Sequence, residues 1–470
     1  MGRRGRVRAA DEGLPGPNGP CGTAAGCTRT RLYGGDTVGQ ALPTKQQAAW
    51  QDYEIGMFFH YDLNVFVEEK RPGWDHRHYD DYPVPDVFNP RKLDCEQWME
   101  AAKAVGAKYA VLTASHGSGF MLWQSDAYPF GVRQSPWRSG KGDLVKDFVE
   151  ACRRNGIQPG LYSHLRCNGY WRVDHPGLVN EGKGGDPKRQ AAYARARLTM
   201  CRELWGNYGP LGEIWFDGAV PDPGLVGYNV LPYLRSLQPE AMIFQGPTAT
   251  IRWIGNEKGV ANYPCWATVP SVAEAASWEG RGMLDRLCTG DPDGKTWLPG
   301  ECDTPIRNHE WMWKPGQEHL LKPVDELMGV YEHSVGRNCN LLINANPDPD
   351  GLVPEADLQR YREFGEELGR RYGTPLAETS GRGHAVELPL SAPAVVDRAI
   401  LMEEITQGER VRQYVLEGKT DAGWAPLAHG QSIGHKRIER FPATKVSAVR
   451  LRVEKATAEP WVRRLAVFEG

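Results

Sequence analysis

The sequence predicts an α/β protein, a (β/α)8-like TIM barrel followed by a C-terminal antiparallel β-sandwich. Short apolar runs alternate with helical patterns over roughly 330 residues, which is typical of a barrel of parallel strands. Toward the C-terminus the helical periodicity fades, and short alternating segments replace it. A chain of 470 residues is too long for one ordinary domain and suits a barrel with one further module.

A set of apolar runs provides the candidate strands of the barrel. Most of them are short and end in polar residues or glycine, as buried parallel strands do. The segments 252–257 and 296–303 are less regular, and either of them could instead be a loop. The candidate strands are Ile55–Tyr61, Lys108–Ser115, Ile157–His164, Glu213–Ala219, Ala241–Gly246, Arg252–Glu257, Thr296–Asp303 and Asn338–Asn346.

Amphipathic stretches between these runs are the candidate helices. The stretch Leu144–Asn155 is followed by Gly156, and an Asn-Gly pair is typical of a helix C-terminus. A doubly wound open sheet would show the same alternation, but no GxGxxG sequence follows any of the runs. The candidate helices are Cys95–Val105, Leu144–Asn155, Ala191–Tyr208, Val230–Leu237, Pro323–Val335 and Glu355–Arg371.

Composition divides the chain into three predicted parts. Residues 1–40 are rich in Gly, Arg, Thr and Pro, and we expect a disordered segment there. Residues 41–372 form the predicted barrel, and residues 373–470 form a β-sandwich that could bind carbohydrate or simply pack against the barrel. The candidate strands of the sandwich are Ala385–Leu390, Val396–Glu403, Val411–Glu417, Val446–Val453 and Trp461–Phe468.

Charge and hydropathy exclude several classes of partner. The net charge of -3 predicts no general attraction to nucleic acid or to an anionic membrane. No run approaches the roughly 18 apolar residues that a membrane span needs, so we expect no membrane insertion. The basic N-terminus lacks the apolar region of a secretory signal, which gives a cytoplasmic location by default unless the true start differs. A homo-oligomer stays open.

Barrels carry their functional sites at the C-terminal ends of the strands, so the residues ending each run are the candidates. The run Glu213–Ala219 is the most informative, because its apolar residues end abruptly in Asp217. Gly218 follows and lets backbone or a ligand approach closely. We therefore predict Asp217 as the catalytic nucleophile. Trp215 shares its inward face by period-two parity and belongs more to the core than to the pocket.

The other run ends carry histidines, carboxylates and tryptophans, with no basic cluster to hold a phosphate. Two carboxylates in such a pocket suit glycoside hydrolysis, in which one acid protonates the leaving oxygen and the other attacks the anomeric carbon or activates water. Histidine and Trp N–H groups can bind sugar hydroxyls, and aromatic faces can cover the sugar ring. The candidate substrate-binding residues are His60, His116, Tyr162, Trp215, Arg252, Trp253, Trp297 and Glu301.

Several segments resemble glycoside hydrolase family 29, the α-L-fucosidases. The most specific are the strand Ile-Trp-Phe-Asp-Gly-Ala, at 214–219, and the block 334–344 with Pro347, Asp348 and Gly351 after it. The resemblance extends in order over residues 42–370. Its further segments are Glu54–Phe66, Lys108–Trp123 and Gly142–Tyr162.

The resemblance implies a barrel with a β-sandwich, no metal and no cofactor, and a fucosylated oligosaccharide or glycoconjugate as substrate. The motif 252–257, with Gly259 and Trp266, resembles the branch that cleaves α-1,3/1,4-linked fucose. By resemblance, Asp217 is the nucleophile and Glu257 the general acid/base of a retaining exo-glycosidase. Members of this family are often lysosomal or secreted.

Two segments depart from the family pattern. After the second strand the family usually has Lys-His-His-Asp-Gly-Phe, whereas this chain has Ser-His-Gly-Ser-Gly-Phe at 115–120. Gly117 therefore replaces a histidine that contacts the sugar in the family, and space opens beside the ring. The sequence after His60 also departs, with Tyr61 and Asp62. A related sugar such as α-L-galactose, or weaker fucosidase activity, becomes plausible.

Alternatives stay open at several positions. Glu301 and Asp303 are either rival acids or ion-pair partners of Arg307, and Arg252 either clamps Glu257 or contacts substrate. A barrel that has lost catalysis and only binds sugar is a second hypothesis. A metal-dependent hydrolase is a third, although no His-x-His pair stands at a strand end. Its ligands would be His60, His116, His164 and Asp217. The pocket-wall candidates are Trp253, Trp266, Trp297, Trp311 and Trp313.

Overall fold

The computed structural model describes residues 40–67, 84–180, 186–275 and 287–469. The predicted disordered segment, 1–40, lies outside the described residues except for Gln40.

Eight parallel strands form one curved sheet in the order β5-β4-β3-β2-β1-β8-β7-β6. An isolated parallel bridge from Phe244 to Ile251 links the two ends of this order, so the barrel is nearly closed. All eight candidate runs contain a strand, including the two that could have been loops. The strands are β1 Ile55–Phe59, β2 Tyr109–Ser115, β3 Gln158–His164, β4 Glu213–Asp217, β5 Met242–Phe244, β6 Arg252–Trp253, β7 Gly300–Thr304 and β8 Cys339–Ala345.

Helices between the strands pack around the barrel and begin at residues suited to capping. Asp143 accepts the Lys146 N–H at 2.8 Å at the start of α3, and Asp186 caps α4 before Pro187. Each predicted helix lies within two residues of its predicted end points, except that α4 starts earlier. The helices of seven residues or more are α1 Lys45–Gln51, α2 Cys95–Ala104, α3 Leu144–Arg154, α4 Pro187–Gly206, α5 Leu231–Leu237, α6 Val324–Ser334 and α7 Glu355–Tyr372.

Alternate residues of the strands point into the barrel and form three levels. On β4 these are Glu213 near the N-terminal end, Trp215 in the middle and Asp217 at the C-terminal rim. The middle level is an aromatic cluster that also contains Phe58, Tyr162 and Phe244, with rings packed at centroid distances of 4.0–5.9 Å. The rim therefore stands on a rigid, water-excluding floor.

The N-terminal end of the barrel is closed by α1. The Trp50 indole enters the barrel and donates to Glu213 Oε2 at 3.1 Å, while Asn340 Nδ2 donates to the Trp50 carbonyl at 2.7 Å. On β1, Gly56 makes room for the Tyr109 ring, since a Cβ there would lie 2.3 Å from it. Side chains of the barrel and of α1 thus bind each other's polar groups inside this end.

A six-stranded antiparallel sheet follows the barrel, in the order β9-β14-β10-β13-β11-β12, so the predicted fold class is confirmed. The predicted strands at 385–390 and 396–403 are wrong as separate elements, because they form one strand with irregular register near Pro389 and Val396. The strands β9 and β12 were not predicted. The bounds are β9 Ala377–Arg382, β10 Ala385–Glu403, β11 Val411–Thr420, β12 Gly423–Gly430, β13 Arg437–Ala456 and β14 Trp461–Glu469.

The sheet is anchored to the barrel by buried polar contacts. Glu54 accepts from Lys436 Nζ and from His435 Nε2, the latter at 3.1 Å. Burial alone would raise the pKa of Glu54, but Lys436 and His435 outweigh burial and lower it to about 2. The Glu409 carboxylate accepts the Ala267 N–H at 3.0 Å from the other side of the interface.

Arg307 does not pair with Glu301 or Asp303, and that expectation is wrong. Its guanidinium lies in the fully buried space between β7 and α7, where it donates to Asp357 at 2.7 Å. Both side chains are fully shielded from solvent, so each charge depends on the other.

We predict that Asp357→Ala lowers the free energy of unfolding by about 3–5 kcal/mol, because it removes the buried partner of the Arg307 charge and leaves the exposed Glu318 carboxylate, 3.9 Å away, in its place. Urea unfolding followed by circular dichroism measures the change. The double variant Arg307→Met/Asp357→Leu should recover most of the loss, because neither position then carries a charge. A loss below about 1 kcal/mol for Asp357→Ala would contradict a desolvated ion pair.

Candidate active site

Asp217 ends β4 at the rim, with about a third of its side chain exposed. The Tyr162 hydroxyl donates to its Oδ2 at 2.7 Å, and His164 Nε2 lies 3.6 Å from the same oxygen. Gly218 follows with a φ of +65°, a left-handed conformation that turns the chain sharply away. The geometry leaves a fixed and accessible carboxylate.

Glu257 lies in the loop after β6 and is exposed. The Trp311 indole donates to its Oε2 at 3.1 Å. The Trp311 ring lies 5.0 Å from the His60 ring, and His60 is close enough to Asp217 for that carboxylate to act on its pKa. Asp217 and Glu257 therefore line the same end of the barrel, joined by His60 and Trp311.

His60 directly follows β1 and is held in one tautomer. Asn344 donates through Nδ2 to the Trp311 carbonyl at 2.8 Å and to Asn346 at 3.1 Å, so its Oδ1 must accept from His60 Nδ1, 2.6 Å away. Nε2 of His60 is then a bare acceptor. Burial lowers the pKa of His60 to about 4, although Asn344 and Asp217 favour the charged form.

His116 and Tyr162 form one wall of the rim. Their rings stack at 5.4 Å with an angle of 11° between planes, and His116 meets the His60 and His164 rings at 5.8 and 6.4 Å. The stack fixes the tyrosine ring whose hydroxyl holds Asp217. His116 therefore lies in the cluster around the predicted nucleophile.

Asp303 is a third carboxyl group at this end of the barrel. It is buried on β7 and accepts from the Trp253 indole at 2.8 Å. Burial raises the pKa of Asp303 well above its ordinary value, and the charges of Glu257 and Glu301 raise it further. Trp253 is thus turned toward Asp303, beside the predicted acid/base.

Two predicted substrate-binding residues lie away from the rim. The Arg252 guanidinium is fully buried and donates to the carbonyls of Leu287 and Trp266, at 2.9 and 2.8 Å, among other partners. Arg252 therefore does not pair with Glu257 and does not line the rim. Its hydrogen bonds instead hold the loops below the rim in place. Trp297 precedes β7 and donates to Gln51 of α1 at 2.9 Å, at the opposite end of the barrel.

Trp215 and Glu301 lie below the rim rather than in it. The Trp215 ring stacks on Phe244 at 4.0 Å and on Tyr162 at 5.4 Å, and it is 6% exposed. Glu301 is fully buried and accepts from the Trp215 indole at 3.1 Å. The parity of β4 had indicated a core position for Trp215.

The two departures from the family pattern contact each other. The Ser118 hydroxyl donates to Asp62 Oδ1 at 2.6 Å, and the same oxygen accepts the Leu63 N–H at 2.8 Å. The Gly117 carbonyl accepts the Gly169 N–H at 2.8 Å from the loop after β3. The altered segment is therefore well ordered and joined to both neighbouring strand ends.

The sequence did not predict a role for Asn344 at the site, and it left the role of Trp311 open. Asn344 fixes the His60 tautomer, and the alternation Asn340, Leu342, Asn344 along β8 could have placed it on the inward face of the rim. Nothing in the sequence marks Trp311 among its five tryptophan candidates, because it lies outside any strand.

Two findings concern membranes and metals. None of the described helices combines the length and the apolar character that crossing a membrane requires. Within the described ranges, no three His, Cys, Asp or Glu side chains converge in an arrangement suited to a metal ion.

The fold and the residues at the rim together define the class of protein. A parallel barrel whose C-terminal rim carries two carboxylates among histidines and tryptophans has the architecture of a barrel glycosidase. The family model for α-L-fucosidase matches residues 37–371. The chain therefore belongs to the α-L-fucosidase family of glycoside hydrolases.

Relatives align over most of the chain. Arabidopsis thaliana α-L-fucosidase 1 is 29% identical, over 91% of this chain and 87% of that protein. Human tissue α-L-fucosidase is 30% identical, over 70% of this chain and 69% of that protein. A crystal structure of a protein assigned as an α-L-fucosidase from Bacteroides thetaiotaomicron VPI-5482 matches with a TM-score of 0.86 and 39% identity, over 92% of this chain and 100% of that chain.

We predict that His60 stays neutral between pH 5 and 8, because burial lowers its pKa to about 4. Imidazole NMR signals assigned by comparison with His60→Asn should not move across this range, while free histidine in the same sample titrates. A titration midpoint above pH 6 for the His60 signal would contradict a buried, neutral imidazole.

Proposed function

We propose that the protein is a retaining exo-α-L-fucosidase, with Asp217 as nucleophile and Glu257 as general acid/base. Membership of the family supports the reaction. The observation that carries the assignment is the rim geometry, in which Tyr162 holds one oxygen of an accessible Asp217 and Trp311 holds Glu257 on the same side of the barrel.

The reaction has two steps. Asp217 attacks the anomeric carbon while Glu257 gives its proton to the leaving oxygen, so the C–O bond to the aglycone breaks as the bond to Asp217 forms. Glu257 then takes a proton from water, the water oxygen attacks the same carbon, and Asp217 leaves as a carboxylate. Two inversions give retention, which calls for carboxyl groups about 5–5.5 Å apart.

Substrate binding falls to the rim side chains. The bare Nε2 of His60 accepts a sugar hydroxyl, and His116 lies beside it. Trp311 and Trp253 supply aromatic surface near Glu257, on the side of the leaving group. The substrate is a terminal α-L-fucosyl group on an oligosaccharide or glycoconjugate.

The α-1,3/1,4 linkage is proposed from the motif around Glu257. The structure supports the motif as one packed unit, because Arg252 donates to the Trp266 carbonyl. Gly259, in the same motif, takes a φ of +70° and packs against Thr304 and Val330. These residues shape the loop that carries Glu257. The motif therefore builds the acid/base loop rather than contacting sugar at every position.

The test uses an aryl α-L-fucoside with wild type, Asp217→Gly and Glu257→Ala. Removing the nucleophile or the acid/base should lower kcat/KM by roughly 10³-fold or more, since each group acts in the transition state. Azide should restore Asp217→Gly and yield β-L-fucosyl azide, because the small anion replaces the carboxylate. Asp421→Gly, at an exposed aspartate in the turn between β11 and β12, is the matched control.

Three outcomes would contradict the proposal. Wild type that binds fucose without turnover, with binding unchanged in Asp217→Ala, would indicate a sugar-binding barrel. Full activity in either carboxylate variant would remove that residue from the mechanism. An α-fucosyl azide from the glycine variant would contradict attack from the face that Asp217 occupies.

A related sugar, α-L-galactose, is a second candidate substrate, favoured by Gly117. We predict that Gly117→His raises the ratio of kcat/KM for aryl α-L-fucoside over α-L-galactoside by about three- to tenfold, the effect of one regained hydrogen bond and a narrower pocket. Ser118→Ala, which changes the neighbouring residue without adding a side chain to the pocket, is the control. An unchanged ratio would show that Gly117 does not set sugar choice.

A further inference from the structure

Two carboxyl groups meet inside the barrel, below the rim. Glu213 on β4 is 1% exposed and Glu301 on β7 is 0% exposed, and the two are hydrogen-bonded to each other. A hydrogen bond between two carboxyl groups needs a proton on one of them, because an ionised carboxylate only accepts. The position of this proton follows from the other partners.

More hydrogen-bond donors reach Glu301 than reach Glu213. Glu301 accepts from the Tyr109 hydroxyl at 2.6 Å through Oε1 and from the Trp215 indole at 3.1 Å through Oε2. Glu213 accepts from Trp50 at 3.1 Å through Oε2, and within the described chain no N–H or O–H donor reaches its Oε1. The proton therefore lies on Glu213, and Glu301 is the ionised member.

Glu301 is linked to the predicted nucleophile by three contacts that run through Trp215 and Tyr162. Its Oε2 holds the Trp215 indole, and the Trp215 ring stacks on Tyr162 at 5.4 Å with 22° between planes. The Tyr162 hydroxyl donates to Asp217 Oδ2 at 2.7 Å. The path runs from the buried carboxylate through the aromatic middle level to the rim.

We infer that Glu301 is a positioning residue for Asp217: ionised and proton-paired with Glu213, it fixes the Trp215 ring against which Tyr162 is held, and so fixes the nucleophile. The inference rests on the proposed role of Asp217. Burial supports the shared proton, since it raises the pKa of Glu213 well above its ordinary value and that of Glu301 to about 7.

The test compares Glu301→Gln with the matched variant Glu213→Gln. Glutamine at 213 reproduces the protonated acid, because its amide donates to Glu301 and its oxygen accepts from Trp50, so we expect kcat within about twofold of wild type. Glutamine at 301 offers one acceptor oxygen to three donors and releases Trp215. We expect kcat on aryl α-L-fucoside to fall about ten- to a hundredfold, with KM changed less than about threefold.

A double-mutant cycle separates positioning from folding. In an Asp217→Gly background with azide, the reaction no longer uses the carboxylate, so adding Glu301→Gln should change the rate less than about twofold. Trp215→Phe keeps the stacked ring, loses the indole N–H and should show the same pattern. If Glu301→Gln does not fold, as judged by circular dichroism, Trp215→Phe is used in its place.

Each result decides one claim. Wild type without fucosidase activity would overturn the proposed function itself. An active wild type with an equally active Glu301→Gln, or equal losses in the two glutamine variants, would overturn the inference. A loss of the same size with and without Asp217 would show a structural role only.

Discussion

The site depends on the alternation of side chains along β4. Because successive residues of a strand face opposite sides, Glu213, Trp215 and Asp217 enter the barrel at three successive levels. The aromatic middle level excludes water, and the carboxyl groups above and below it therefore need defined hydrogen-bond partners. Trp50, Tyr109 and Tyr162 are such partners. One strand's period thus sets both the position of the rim carboxylate and its support.

The carboxyl groups of this barrel lie at different depths. Asp217 is partly exposed and held by a tyrosine, while Asp303 and Glu213 are buried and have raised pKa values. Residues of the same chemistry can therefore take the proposed roles of nucleophile, neutral neighbour and proton donor according to depth. His60 shows the same effect of burial, which lowers its pKa and favours the neutral ring.

The sequence was sufficient for the strands of the barrel and for the position of Asp217 at the end of β4, because period-two runs and their abrupt polar ends are local patterns. The end of the barrel at which a given residue lies was harder to predict. Arg252 begins β6, near the end of the barrel opposite the rim, and Trp297 stands before β7, so both were placed at the wrong end. Pairings such as Trp311 with Glu257 and Ser118 with Asp62 join separate loops. No local pattern encodes them.

In the proposed mechanism, Asp217 forms a covalent bond to the anomeric carbon of the sugar. Incubation with 2-deoxy-2-fluoro-α-L-fucosyl fluoride slows release of the intermediate, and peptide mapping by mass spectrometry then locates the label. We expect one fluorofucosyl group per chain, on the peptide that contains Asp217. A label on the peptide containing Asp303 or Glu257, or none under conditions in which activity is lost, would contradict it.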